Sequence, residues 1–186
     1  ALCNSPTTIE VFTCATRVNR DDVPLFNVFT VVETLSPVRA KAGLKIDPDF
    51  SLENHPEIDC LIVPGGAVSA ELEKQNVLSG LLSSINHDDN RIGMYRCFFT
   101  DSRRDHGGQI GHNALGRCHR FACNVPWLFV KEGGRWVDED EIVTSVGISA
   151  GIDMSLHLVE WLNKRELVLL TAKQLEFDKT ENQPSV

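Results

Sequence analysis

The sequence predicts a single α/β domain whose mostly parallel sheet is covered by helices on both faces. Three observations carry that expectation. At 186 residues the chain can bury one sizeable core and falls short of two ordinary domains. Short apolar runs rich in β-branched residues alternate with stretches of helical periodicity, the pattern of strands joined by crossover helices. Glycine-rich turns close several of these runs, as at Pro64-Gly65-Gly66 and across residues 147–151.

Taken in order, residues 9–19 place Ile9, Val11, Phe12 and Ala15 at helical spacing, and residues 26–33 read as a strand. Residues 48–56 form a turn-rich connection, and residues 58–63 are a short apolar strand that stops at Pro64. Leu72, Val77, Leu78, Leu81 and Leu82 make residues 67–85 an amphipathic helix, and a further strand begins at Arg91. The segments 133–137 and 141–145 are short strands joined by an acidic turn. A glycine-rich bend over 147–151 then leads into a helix over 153–163 that directs Met154, Leu158 and Leu162 to the core. Asp153 reads as the N-cap or first-turn acid of that helix. Residues 166–177 form the last helix, the domain is expected to span 1–178, and 179–186 is a polar, frayed tail.

Composition narrows the function. A net charge of -8 opposes phosphate backbones and anionic membrane surfaces, so neither nucleic acid nor membrane is an expected partner. No apolar run has the length of a membrane span, and no secretory signal opens the sequence, which together predict a cytoplasmic protein. Six scattered cysteines without framework spacing read as reduced thiols.

Three segments carry a family resemblance. They are Asp59-Cys60-Leu61-Ile62-Val63-Pro64-Gly65-Gly66, Arg135-Trp136-Val137-Asp138, and Ile142-Val143-Thr144-Ser145-Val146-Gly147-Ile148-Ser149-Ala150-Gly151-Ile152-Asp153-Met154. In order and spacing the chain resembles the DJ-1/PfpI superfamily, in the branch that contains isonitrile hydratase and the amidotransferase-like sensor domains of some transcription regulators. The resemblance implies a flavodoxin-like three-layer sandwich, no cofactor, a homodimer, and a small-molecule substrate attacked by a cysteine at a strand-to-helix elbow. Gly66, after the strand-ending turn, would supply an oxyanion-hole N–H; taken alone, the same Pro-Gly-Gly is an ordinary tight turn.

The segment that should carry the nucleophile departs from the family pattern of Cys-Thr-Gly at the elbow and Thr-Thr-His-Trp some twenty residues later. It reads Met94-Tyr95-Arg96-Cys97-Phe98-Phe99-Thr100-Asp101-Ser102-Arg103-Arg104-Asp105, and Asp101, Arg103, Arg104 and Asp105 put four charges where a helix should be buried. Methionine has the single codon ATG and tyrosine codons begin with T, so Met94-Tyr95 read one nucleotide later gives TGT, cysteine. The following codons permit Thr-Gly-Ala-Phe-Leu-Leu, and His112-Asn113-Ala114-Leu115 permits Thr-Thr-His-Trp. Residues from about 94 to 123 are thus compatible throughout with a frame-shifted translation. The family cysteine then falls at Met94, the histidine at Ala114, and the second oxyanion N–H at Tyr95. The family acid falls at Asn4, whose amide cannot take its place in proton transfer, and Glu10 is a substitute only if it leaves the helix surface.

Two other readings use the residues as they stand. Cys97 is a fallback nucleophile with His112 or His119 as base, although Arg96 precedes it and no glycine follows. Cys97, His106, His112, Cys118, His119 and Cys123 carry zinc-type ligands, but their spacings fit no common zinc module, and no metal is expected. The expected function is a cysteine-dependent hydratase or amidase acting on a carbon–nitrogen electrophile; the alternative is a non-catalytic ligand-sensing or redox-responsive domain. No helix-turn-helix follows Phe177, which favours the enzyme over a transcription regulator.

Overall fold

The computed structural model describes residues 5–19, 24–39, 43–63, 96–100, 110–111, 129–130, 134–139, 142–145 and 147–180. The first helix, α1 (Ser5–Val18), buries Thr8, Val11, Phe12 and Ala15, a stripe at three- and four-residue spacing. Residues 26–33 contribute a paired strand only at β1 (Val31–Val32). Side chains take the bonds that a longer ladder would have used. Phe26 donates its N–H to Thr16 Oγ1 at 3.2 Å, and its ring meets Phe12 edge-on at 5.1 Å. Thr30 donates its N–H and its hydroxyl to Asp49 Oδ2 at 2.8 and 2.7 Å.

After the antiparallel pair β2 (Val38–Arg39) and β3 (Lys45–Ile46), β4 (Phe50–Ser51) pairs parallel with β1, inside the segment expected to be a connection. The hydrogen bonds from Thr30, its hydroxyl first, hold the Asp49 carboxyl below the usual aspartate range. A depressed folded value stabilises the fold above the unfolded aspartate value of about 3.9 and loses that contribution as pH falls through the folded one. Thr30→Val is therefore expected to move the Asp49 titration upward, measured by carboxyl NMR; an unchanged titration would show that the threonine does not set it.

The main sheet has the order β5 (Cys60–Val63), β6 (Arg96–Thr100), β10 (Ile142–Ser145), β9 (Trp136–Glu139), with β7 (Ile110–Gly111) and β8 (Phe129–Val130) paired separately in parallel. β5, β6 and β10 run parallel, and β9 is antiparallel to β10. Opposed residues share a face, so Val143, Ser145, Trp136 and Asp138 lie on one side and Thr144 and Val137 on the other. The first face meets the helices, while Val137 at 5 % and Thr144 at 4 % exposure show the second face also closed from solvent. The chain is thus an α/β protein. The helix expected over 67–85 and the strand start expected at Arg91 lie outside the described residues.

The glycine-rich bend expected over 147–151 is instead the start of a helix: α2 spans Ile148–Leu162, and Asp153 lies beyond its first turn. Only Gly147, the N-cap, is extended. Gly151 sits inside the helix, where a Cβ would make an ordinary 3.7 Å contact with Ser145 Oγ. Met154 and Leu158 are buried as expected, joined by Leu156 and Val159. Leu162, expected in the core, is 40 % exposed because it falls in the last turn.

The last helix, α3 (Arg165–Gln174), ends earlier than expected. Glu176 takes a positive φ of 52°, and Phe177 returns its N–H to Ala172 O at 3.0 Å, closing the helix end. The core joins α1, α2 and α3 to Trp136 and Val143.

The start of the tail is held, not frayed. Thr180 donates its N–H to Asp153 Oδ1 at 2.8 Å and Lys179 reaches Glu160 Oε2 at 2.6 Å. Partial burial pushes the Glu160 carboxyl up, but bonds from Lys179 and Arg165 outweigh it and hold the group below its ordinary range.

Candidate active site

The three parallel strands end level with one another. Val63 is opposite Phe99 and Thr100 is opposite Ser145, so the ends of β5, β6 and β10 form one sheet edge. In open α/β sheets ligands bind outside this C-terminal edge. From it the chain leaves β5 toward Pro64-Gly65-Gly66 and leaves β10 into α2.

On the described side of this edge stands an ion pair. Asp153, with no side-chain exposure, accepts from Arg135 Nε at 2.6 Å and from Nη2 at 2.6 Å, while Arg135 Nη2 also donates to Ser149 Oγ at 3.2 Å. With Thr180 on its other oxygen, Asp153 ties the start of β9, the body of α2 and the tail together. It is neither the N-cap, which is Gly147, nor a first-turn acid, because it stands in the second turn of α2. Nearby, His157 Nε2 lies 2.7 Å from Asp138 Oδ2 and its ring lies 5.5 Å from that of Trp136. The hydroxyls of Thr144 and Ser145 are buried and have no hydrogen-bond partner among the described residues. Native interiors rarely leave such groups unpaired. Arg135 and Asp153 each lie in a segment that carries the family resemblance, but no spacing marks them as a pair, since 18 positions separate them.

Asn4, Gly66, Met94, Tyr95 and Ala114 lie outside the described residues. Cys97 occupies a regular strand position near the start of β6, its backbone aligned with Leu61 on one side and Ile142 on the other. It is three residues, about 10 Å, from the strand's C-terminal end at Thr100. Glu10 is an exposed helix-surface carboxylate paired with Arg17 at 2.5 Å. Among the described residues no group of three His, Cys, Asp or Glu side chains could hold a metal ion, and no helix is long and apolar enough to cross a membrane.

No family model matches the chain. A curated relative, the isonitrile hydratase of Pseudomonas putida, is 26% identical over 165 residues, covering 83% of this chain and 68% of its own length. Of solved structures, a THiJ/PfpI family protein from Pseudomonas syringae superposes with a TM-score of 0.69 at 17% identity, covering 96% of this chain and 71% of that one. The oxidized DJ-1 of Toxoplasma gondii gives 0.67 at 22% identity, covering 95% and 94%. The α/β fold described above is therefore that of the DJ-1/PfpI superfamily. The resemblance carried by the segments around Gly66, Trp136 and Gly151 is borne out by these likenesses.

Proposed function

We propose that this chain is a cysteine-dependent hydratase or amidase for a small carbon–nitrogen electrophile, with isonitrile hydration as the leading reaction. The observation that supports it most directly is the likeness to isonitrile hydratase over most of the chain. In this reading the nucleophile stands at position 94, as the cysteine encoded by the neighbouring frame, and the histidine stands at position 114. The thiolate adds to the isonitrile carbon, and that same carbon takes a proton. Water then adds to the resulting thioimidate, and expulsion of the thiol leaves an N-substituted formamide, one water having been consumed. The N–H groups of Gly66 and residue 95 would stabilise developing charge, and a helix N-terminus behind the elbow would lower the thiol pKa.

Two measurements test this. Peptide mapping across residues 91–124, with iodoacetamide at neutral pH, should find a cysteine at position 94 that is alkylated faster than Cys14, which is wholly buried, or Cys60. Incubation with an alkyl isonitrile should yield the N-alkylformamide. Recovery of the peptide Met94-Tyr95-Arg96-Cys97 from folded protein would remove the family nucleophile and the mechanism with it.

The likeness to an oxidized DJ-1 supports a second reading, a redox-responsive domain without turnover. It predicts the reactive thiol without formamide formation. As in the family, the chain would act as a homodimer in either case, for which sedimentation should give twice the chain mass; a concentration-independent monomer would refute it.

A further inference from the structure

We propose that the hairpin of β2 and β3, together with the acidic stretch that follows it, is the surface on which a second copy of this chain docks. This surface rests on the homodimer reading above and supplies its interface, independently of the chemistry at position 94. A two-stranded hairpin is marginally stable unless it packs on something. Here β2 and β3 pair only with each other among the described residues, none of the described residues from Glu33 to Asp47 is buried, and none of them packs on the core cluster. Leu35 and Leu44 are 62 % and 54 % exposed. The register adds a second anomaly: Val38 opposes Ile46 on one face, while on the other Arg39 directly opposes Lys45. Like charges in opposed positions destabilise a strand pair.

Charge identifies the occupant. From Ser36 to Ile46 the chain carries Arg39, Lys41 and Lys45 and no acid, whereas from Asp47 to Asp59 it carries Asp47, Asp49, Glu53, Glu57 and Asp59 and no lysine or arginine. Those five acids are exposed. The two stretches are contiguous, yet they do not neutralise each other: Arg39, Lys45, Asp47, Glu53 and Asp59 have no ion-pair partner among the described residues. A two-fold axis answers both halves at once, because it sets the basic hairpin of each copy against the acidic stretch of the other. It also covers Leu35 and Leu44. A separate acidic protein would meet only the basic half of this surface, whereas a second copy meets both. With a net charge of -8, copies of the chain repel one another overall, so their association needs local attraction of this kind.

The test is sedimentation equilibrium on the whole chain and two charge-reversed variants. Arg39→Glu with Lys45→Glu makes the hairpin acidic, and Asp47→Lys with Glu53→Lys makes the following stretch basic. Each variant alone should raise the dimer dissociation constant about a hundredfold, because like charges then face each other at both contacts across the axis. Mixed in equal amounts, the two variants should recover the dimer, since opposite charges meet again at both contacts. Association of the unaltered chain should weaken about tenfold from roughly 0.05 to roughly 0.5 M salt, as exposed charges are screened. All four side chains are exposed, so an unchanged Tm in both variants separates a lost contact from a lost fold. Variants that dimerise as tightly as the unaltered chain would overturn this surface and leave the homodimer standing. Variants that stay monomeric when mixed would also overturn it, because the reversed charges then do not meet. A concentration-independent monomer of the unaltered chain would end the homodimer reading and this surface together.

Discussion

Arg135→Met is expected to lower stability by about 4 kcal/mol, because it strands a carboxylate in the interior. Asp153 has no side-chain exposure, and without the guanidinium its charge would keep only the N–H of Thr180 among its described partners. The reverse change should cost less. Asp153→Asn keeps an acceptor for Thr180 and leaves a cation that is 32 % exposed and can turn toward water, so about 2 kcal/mol is expected. The double variant should be more stable than the sum of the two losses implies, since neither charge remains to be stranded. Urea midpoints for the four proteins measure this. A loss under about 1 kcal/mol in Arg135→Met would show that water reaches the carboxylate and that the pair is not a buried one.

Leu158→Ala should cost about 3 kcal/mol, from lost transfer energy plus the cavity left behind. Leu158 is wholly buried in α2, in the cluster where that helix meets α1 and α3. The site cannot easily collapse, because Met154, Val159 and Val168 around the same core are also wholly buried and belong to different turns or helices. The urea midpoint should fall with an unchanged slope, the mark of a stability change without a change in the surface exposed. In contrast, Leu169→Ala should be nearly silent, since that side chain on α3 is 56 % exposed. Equal losses at the two positions would contradict the packing described here.

What the sequence makes legible is what periodicity and local chemistry encode. The stripe of Val11, Phe12 and Ala15 and the apolar run at β10 announce their elements because side-chain spacing agrees with the fold. The start of α2 is not legible. Gly147 and Gly151 look alike on paper, yet one is an extended cap and the other is a helical residue packed against Ser145. The length of β1 is hidden for a related reason, since Thr16 and Asp49, distant in sequence, take the N–H groups that a longer strand would share. At the site, the role of Asp153 is hidden because an acid near a helix start has a local explanation, whereas its partners lie 18 and 27 positions away. The nucleophile proposed at position 94 rests on the codons behind Met94 and Tyr95, because the residues there carry no thiol chemistry of their own.

The packing of α1 against α2 and α3 has a consequence for synthesis. Val11, Phe12 and Ala15 find their partners on helices that begin at Ile148 and Arg165, near the other end of the chain. At ribosomal speeds of about 5–20 residues per second, on the order of ten seconds or more separates the emergence of α1 from that of α3. During that interval the apolar stripe of α1 lacks its helical partners, although Phe26 can already meet Phe12. Nascent chains arrested before residue 165 should accordingly be held by chaperones that bind exposed apolar helices, and release should coincide with the emergence of Leu167 and Val168.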